Sequence, residues 1–260
     1  MSIINSSLSM VIKSDSALTE KTIVDNGEYD ANQEGYDGYS KVNVDVTEFA
    51  KISGVNYKFD SLTPKIINGR FFTNFNSSNG IVPVDNNLSA ITIDYSDDWE
   101  VGIAYLFRGD TSQDTPLYGN SGGGWNSSPY IIVGGTNLNT ARVRVFDTSS
   151  GQWEIDPVID TILQENKWYF LKVAYDASTA TVTASTTGDF KNWNTATETR
   201  DGKTPKTANQ SAFGEFKSGY TMNQYITIDL ANTYLKQNGT IVWGNFDGKF
   251  SDKYTSQEVT

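Results

Sequence analysis

Alternation of apolar and polar residues recurs along the chain and predicts β-strands. In a half-buried strand every second side chain faces the core and the others face water. The alternating segments are Lys41–Thr47, Ala90–Tyr95, Glu100–Phe107, Ala141–Asp147, Trp168–Tyr175, Ala180–Thr186 and Tyr225–Leu230. The continuous apolar run YIIVG at Tyr130–Gly134 predicts a shorter, more buried strand.

Short polar segments separate these strands. Examples are GNSGGGWNSS at Gly119–Ser128 and DTSSG at Asp147–Gly151. Many strands joined by polar turns, without long intervening helices, favour antiparallel sheets over βαβ units. We therefore expect an all-β protein, an antiparallel two-sheet sandwich.

One segment has helical spacing. In Asp156–Asn166 the apolar residues are Val158, Ile159, Ile162 and Leu163, and a proline such as Pro157 is tolerated in a first helical turn. We expect a strand at Gln152–Ile155 that leads into one short helix or helical turn.

A domain boundary is predicted near Phe49–Gly54. We expect residues 1–50 to form an N-terminal segment with a small β module, whose few apolar residues make independent stability doubtful. We expect residues 51–260 to form one larger sandwich domain.

Composition narrows the function. The 20 basic and 31 acidic residues give a net charge of −11, which argues against nucleic-acid binding and against adsorption to anionic lipid. The chain has no Cys and no His. Disulfides, cysteine nucleophiles, Ser-His-Asp triads and His- or Cys-ligated zinc are therefore excluded.

Targeting signals are not expected. The first residues, MSIINSSLSMVIKS, lack a basic region followed by an apolar one, so we expect no secretory signal peptide. No apolar run approaches the ~18–20 residues of a transmembrane helix.

The N-terminal segment Thr22–Val46 has a distinctive pattern: a strand, NG-x-Y, an acidic Gly-containing loop, DGYS, and an alternating V-x-V strand. The matching residues are Asn26, Gly27, Tyr29, Gly35, Asp37, Gly38, Tyr39, Ser40, Val42, Val44 and Val46. This pattern resembles a short module found repeatedly in phage and phage-derived bacterial proteins, and the resemblance implies a virion or prophage origin.

Three further segments carry a second resemblance. They are Phe75–Phe107, with its FNSSNGI stretch and a strand led by Trp99 and Glu100; Asn166–Asp176, with NKWYF; and Ile228–Trp243, IDLANTYLKQNGTIVW. They resemble the concanavalin A-like, laminin-G-like jelly rolls of phage adhesins.

The two resemblances together imply a non-enzymatic virion protein. It would be a head or tail fibre component on the virion exterior, a homotrimer or homodimer. Residues 1–50 would be its attachment and oligomerisation segment, joined to other virion proteins, and residues 51–260 its jelly-roll domain. Its jelly roll would bind host-surface or environmental glycans. The alternative is a purely structural decoration protein of the same fold.

Glycan recognition needs aromatic faces for stacking and polar groups for hydroxyls. Trp125 lies in the Gly- and Ser-rich loop YGNSGGGWNSSPY, which is bounded by Tyr118 and Tyr130, and Trp193 lies in DFKNWNT. A large aromatic residue on a polar loop packs onto the sheet or meets a partner. Arg108 and Asp110, at the end of a strand, are polar companions.

No obligatory cofactor is expected. The resemblance to laminin-G-like folds leaves a calcium ion open, with Asp97, Asp98 and Asp114 as ligands at the rim of the sandwich. Calcium is the metal that carboxylate and carbonyl oxygens suit.

Glycoside hydrolysis is the less favoured alternative. Glu154 and Asp156 match two positions of the E-x-D-x-E strand that hydrolases on this fold use, where alternate carboxylates enter the cleft. The third carboxylate, Asp160, comes one residue late even for the longer spacing of these enzymes, E-x-D-x-x-E, and is Asp in place of Glu. Pro157 also interrupts the strand. We therefore expect no enzymatic activity.

Overall fold

The computed structural model describes part of the chain, and all structural statements below concern that part. The described residues are 7–14, 17–24, 42–43, 49–52, 55–60, 65–67, 70–75, 80–107, 114–120, 130–134, 141–146, 153–155, 157–159, 163–164, 167–189, 191–199, 211–213 and 224–246. They form twenty strands, β1–β20 in chain order, in two antiparallel sheets. The predicted all-β class is confirmed.

The first sheet contains eleven strands. They are β1 (Ser7–Ser14), β2 (Ala17–Val24), β4 (Phe49–Ile52), β5 (Val55–Asp60), β8 (Gly80–Pro83), β10 (Asp114–Asn120), β11 (Tyr130–Gly134), β12 (Ala141–Phe146), β13 (Trp153–Ile155), β14 (Val158–Ile159) and β18 (Ser211–Phe213). Their spatial order is β13-β12-β11-β10-β18-β8-β5-β4-β1-β2, and β14 pairs with β12.

The second sheet contains nine strands. They are β3 (Val42–Asn43), β6 (Lys65–Ile67), β7 (Arg70–Phe75), β9 (Trp99–Phe107), β15 (Lys167–Asp176), β16 (Thr181–Thr187), β17 (Asn194–Thr199), β19 (Gln224–Gln237) and β20 (Thr240–Phe246). Their order is β17-β16-β15-β9-β19-β7-β6-β3, and β20 pairs with β19. The chain passes repeatedly between the two sheets, as jelly-roll sandwiches do.

The main core lies between the two sheets. Alternate residues of the central strand β9 enter it: Trp99, Val101, Ile103, Tyr105 and Phe107. The opposite sheet contributes Tyr57, Ile81, Leu117, Tyr118, Ile131, Val133 and Phe213. Burial of these large side chains is the main stabilising contribution to the sandwich.

Most predicted strands within the described residues are confirmed. They correspond to β9, β11, β12, β13, β15, β16 and the first half of β19. Of the predicted strand Lys41–Thr47 only β3 is described, and the predicted turn at Asp147–Gly151 lies outside the described residues. The predicted turn at Gly119–Ser128 begins too early, because Gly119 and Asn120 still belong to β10 and pair with β18.

Two local predictions are wrong. Of Ala90–Tyr95 only Ala90 makes a bridge, to Val84, although Ile93 and Tyr95 are buried as the alternation requires. The described part of the expected helical segment contains β14, which pairs with Ala141 and Arg142 of β12. Exposed Val158 and buried Ile159 satisfy a strand as well as a helix.

The first sheet continues across the predicted domain boundary. β4, which spans that boundary, pairs with β1 on one side and with β5 on the other. The N-terminal strands therefore extend the sheet of the sandwich, and the division at residue 50 stays a prediction.

No helix that could cross a bilayer occurs in the part of the chain that the structure describes.

Candidate functional site

The outer face of the nine-stranded sheet carries a second apolar cluster, which we call the outer aromatic cluster. Its buried members are Ala104, Leu106, Trp168, Phe170 and Tyr234, with Phe246 packed against them. These residues alternate with the core residues of β9, β15 and β19, so both faces of the sheet are apolar here. An antiparallel sheet usually has one solvated face. The second apolar face of this sheet is therefore a candidate binding surface.

Tyr234 is accommodated by a glycine on the neighbouring strand. Gly102 of β9 is the register partner of Tyr234, and a Cβ atom at Gly102 would lie 2.2 Å from Cε1 of the tyrosine ring. The ring thus lies directly over the backbone of β9 and packs against Phe246, with ring centroids 4.9 Å apart.

A charged pair borders the cluster. Tyr234 Oη donates to Glu100 Oε1 at 2.6 Å, and Lys236 Nζ donates to the same oxygen at 2.7 Å. Burial by itself raises the pKa of Glu100, but the hydrogen bonds from Lys236 and Tyr234, with the charges of Lys236 and Lys172, hold that pKa below its ordinary value. Burial and the bond to Glu100 raise the pKa of Tyr234.

Trp193 stands at the solvent edge of this face and is 41 % exposed. Its ring meets Phe170 edge to face, with centroids 6.0 Å apart and planes at 89°. Lys172 Nζ lies 5.7 Å from the centroid of the indole ring, within cation–π range. We call Trp193, Phe170 and Lys172 the Trp193 platform.

The turn before β17 fixes Trp193. Asp189 Oδ1 accepts the backbone N–H groups of Lys191 at 2.9 Å and Asn192 at 2.8 Å, and its Oδ2 accepts Asn192 Nδ2 at 2.7 Å. Such side-chain bonds to nearby amides define an Asx turn. The bonds from the backbone of Asn192 and Lys191 lower the pKa of Asp189 far below its ordinary value, because they favour its ionised carboxylate.

One pair of hydroxyl groups lies next to the platform. Lys172, Ser185 and Thr195 occupy one row across β15, β16 and β17, and the Ser185 and Thr195 hydroxyl oxygens are 3.0 Å apart. An exposed indole beside a cation and a hydroxyl suits sugar rings, which have an apolar face and many hydroxyls.

The other predicted ligand-binding residues are less well placed or not described. Tyr118 is fully buried, and its hydroxyl is 2.7 Å from that of Tyr95, so it belongs to the core and cannot meet a surface ligand. Tyr130 begins β11 opposite Arg144. Trp125, Arg108 and Asp110 lie outside the described residues.

The predicted calcium ligands have structural contacts. Asp98 Oδ1 accepts Ala177 N–H at 2.8 Å, and Asp97 Oδ2 accepts Asn238 Nδ2 at 3.4 Å. Asp114 is the first residue of β10. Across the described ranges no three acidic, His or Cys side chains are grouped to hold a metal ion.

The hydrolase pair is described only in part. Glu154 lies in β13 and Asp156 falls outside the described residues. Pro157, which follows them, belongs to neither β13 nor β14.

Sequence reasoning found Trp193 and missed its supports. The alternation of Trp168–Tyr175 places Phe170 and Lys172 on one face, so this pair was open to prediction. Their meeting with Trp193 depends on the Asp189 turn and on the register of β15 with β16, which no local pattern specifies.

Comparison with known proteins identifies no family for this chain. No family model matches the chain, and no curated protein matches it. Solved structures with similarity include the binding domain of botulinum neurotoxin serotype D, at 12 % identity and a TM-score of 0.48, over 89 % of this chain and 48 % of that one. The chain thus spans about half the length of that domain.

Two other solved structures have smaller coverage. The enzymatically active domain of tailspike protein 2 of bacteriophage CBA120 matches at 10 % identity and a TM-score of 0.45, over 71 % of this chain and 29 % of that one. Trypanosoma rangeli sialidase matches at 12 % identity and a TM-score of 0.45, over 74 % and 29 %. All three TM-scores are below 0.5, so these likenesses say nothing about what this chain binds.

Proposed function

We propose that this chain is a non-enzymatic glycan-binding protein of a phage virion, a head or tail fibre component that displays its β-sandwich outward. The observation that carries glycan binding is the Trp193 platform, where an exposed indole ring is held in place beside Lys172. The virion origin is supported by the NG-x-Y and DGYS module of the N-terminal segment.

The physical case rests on preorganisation. The ring of Trp193 contacts Phe170, and the Asp189 turn fixes the backbone just before it. Little side-chain freedom therefore remains to be lost on binding. Lys172 adds hydrogen-bond donors for hydroxyl or carboxylate oxygens of a sugar. The platform therefore suits neutral and acidic glycans.

Assembly is part of the proposal. By resemblance to virion fibres, the protein is a homotrimer or homodimer, and residues 1–50 attach it to other virion proteins. A sedimentation measurement on the full chain gives its mass in solution, and a monomer at micromolar concentration would contradict this part.

The test of glycan binding is a glycan-array screen of the full chain, run with calcium and then with EDTA. Trp193→Ala removes the stacking surface and Trp193→Phe retains part of it. Trp125→Ala tests the second predicted aromatic residue. Val158→Ala, at an exposed position on the other sheet, is the control.

Binding that Trp193→Ala abolishes, Trp193→Phe weakens and Val158→Ala leaves intact supports the proposal. Loss of binding in EDTA would add a calcium ion to it. A folded, correctly assembled protein that binds no glycan would contradict the proposal and favour a structural decoration protein.

A further inference from the structure

A groove lies between residues 241–244 of β20, the first residues of β5 and residues 84–91. We call it the β20 groove. It holds about 260 Å³ and is lined by the apolar side chains of Val55, Val84, Ile91, Ile241 and Val242, with Asn56, Asp85 and Asn86 as polar members. None of the residues of the Trp193 platform lines it.

A β-bulge creates the apolar wall of the groove. Trp243 pairs with Leu235 and Ile241 pairs with Lys236, which leaves Val242 as an extra residue in β20. Bulges redirect side chains. Ile241 and Val242 are consecutive and yet both exposed, at 40 % and 39 %, and both line the groove.

The base of the groove is rigid. Trp243 is buried, and its ring stacks on Phe213 and meets Tyr57 edge to face, with both centroid distances 5.1 Å. Gly244 follows at φ +88°, where a Cβ atom would lie 2.1 Å from the Thr233 carbonyl oxygen. Only glycine fits at this position, because a side chain there would collide with the backbone of β19.

The polar rim is fixed to that base. Trp243 Nε1 donates to the Asn56 carbonyl oxygen at 2.8 Å. The buried Asn56 side chain in turn donates to the Asp85 carbonyl oxygen at 2.9 Å and to Asn86 Oδ1 at 3.2 Å. The side chain of Asn86 is therefore oriented by the hydrogen bond that its Oδ1 accepts from Asn56. None of the described residues accepts a hydrogen bond from its side-chain amide N–H groups.

Asp85 is oriented in the same way. Its Oδ1 accepts the N–H groups of Asn87 at 2.8 Å and Ser89 at 2.9 Å, and within the described ranges nothing donates to its Oδ2. The rim thus presents one carboxylate acceptor and one amide donor on neighbouring residues, both held by bonds to their other atoms.

We infer that the β20 groove binds a single neutral sugar ring, at a site separate from the Trp193 platform. A sugar hydroxyl both donates and accepts, so Asp85 Oδ2 and the Asn86 amide match two hydroxyls of one ring. The C–H groups of the ring pack on Ile241 and Val242.

Size and charge restrict the ligand. The volume is below the ~300–1,000 Å³ of sites for drug-sized ligands, which favours one ring over an oligosaccharide chain. The described lining contains Asp85 and no cation, so an acidic sugar is repelled. The platform, with Lys172, accepts acidic sugars as well as neutral ones.

The test is a titration of the full, isotope-labelled chain with the methyl pyranosides of glucose, galactose and mannose, followed by NMR. The Asn86 side-chain amide and the Val242 methyl groups report on the groove, and the Trp193 indole N–H reports on the platform. At least one glycoside is expected to shift the Asn86 and Val242 signals in the millimolar range.

Matched variants establish the contacts. Asn86→Ala and Val242→Ser are each expected to weaken binding about five- to tenfold, the effect of one lost hydrogen bond or one apolar contact. The controls Asn87→Ala, next in the chain, and Val158→Ser, an equally exposed valine on the other sheet, leave the affinity unchanged.

Three outcomes would overturn the inference. One is that no glycoside shifts the groove signals up to about 50 mM, far above the millimolar range of weak binding. Another is that the test and control variants bind equally. The third is that the Val242 signals depend on protein concentration and not on glycoside, which would assign the groove to a second copy of the chain.

The inference does not rest on the proposed function. The Asn86 and Val242 signals report on the groove and the Trp193 signal reports on the platform, so the two proposals can fail separately. Shifts at Trp193 alone would support the platform and overturn the groove site. Shifts at Asn86 and Val242 alone would support the groove site. Together with a glycan array that shows no effect of Trp193→Ala, they would contradict the platform.

Discussion

The Trp193 platform and the β20 groove are built in opposite ways from similar components. The platform takes its exposed residue from the turn between β16 and β17 and its support from the adjacent strand β15. The groove joins three segments that are 30 to 190 positions apart in the chain, roughly residues 55, 85 and 242. Each combines an apolar surface with polar groups, Lys172 at the platform and Asp85 and Asn86 at the groove.

The difference affects how each region depends on the core. Trp193 is attached to the outer face and is partly exposed, so its removal leaves the sandwich intact. Trp243 is part of the core and also shapes the groove. A residue's contribution to binding and its contribution to folding are therefore separable at the platform and coupled at the groove.

Trp243→Ala is expected to have the largest effect. It removes a buried ring that contacts Tyr57 and Phe213 and leaves the Asn56 carbonyl oxygen without its donor, at a cost of ~3–5 kcal/mol in the free energy of unfolding. Urea denaturation measures this. Trp193→Ala, the same substitution at the platform, should cost less than ~1 kcal/mol, and equal costs would contradict the distinction between the two regions.

Gly102→Ala is expected to damage the platform side alone. The new Cβ atom would collide with the Tyr234 ring, which Phe246 and Phe170 hold in place, and overpacking of this kind costs ~1–3 kcal/mol. Thermal unfolding measures the loss. Glycoside shifts at Asn86 should persist in this variant, and their disappearance would show that the two regions are coupled.

Glu100→Gln is expected to have a smaller, pH-dependent effect. Because the pKa of Glu100 is lowered in the folded state, its carboxylate stabilises the fold above the unfolded pKa of about 4.3. That contribution is lost as the pH falls through the folded pKa. We expect the variant to be ~1–2 kcal/mol less stable than the wild type at pH 7, with the gap closing in acid.

Denaturation curves at several pH values between neutral and strongly acidic conditions test this sign. A difference in unfolding free energy between wild type and Glu100→Gln that increases as the pH falls would contradict the role assigned to Glu100. Lys191→Gln, at an exposed position, is the control for the loss of a surface charge, here of the opposite sign.

The strands were predictable where one rule dominates. In β9 and β15 the alternation specifies which residues enter the core, and the pairing follows. Ala90–Tyr95 shows the limit of that rule, because Ile91 N–H bonds to the Pro83 carbonyl oxygen and Asp94 N–H to the Gln237 side chain. The alternation assigns the buried side chains Ile93 and Tyr95 correctly. Apart from the bridge between Ala90 and Val84, however, no described strand pairs with this segment.

Other elements lack a local signal. β17, NTATET, has no apolar residue larger than alanine, and its side-chain contacts with β16 include hydroxyl pairs. Edge strands of this kind are stabilised by cross-strand contacts rather than by burial. The predicted turn around Gly119 missed the end of β10 for a related reason, since Gly119 is buried by its pairing with Ala212.

The two binding regions differ in the same respect. Trp193 was predictable because a large aromatic residue in a polar turn is unusual. The groove was not, because its apolar wall requires a bulge at Val242 and its rim requires Asn56 to reach Asn86. Both features depend on long-range register, and the sequence around each residue is unremarkable.

The most direct test of glycan binding is calorimetric titration of the full chain with the strongest glycan from the array. The wild type and Val158→Ala should bind with the same Kd, whereas Trp193→Ala should bind about tenfold or more weakly, as truncation of a central aromatic contact does. Equal affinity of Trp193→Ala and the wild type would contradict the platform as the glycan site.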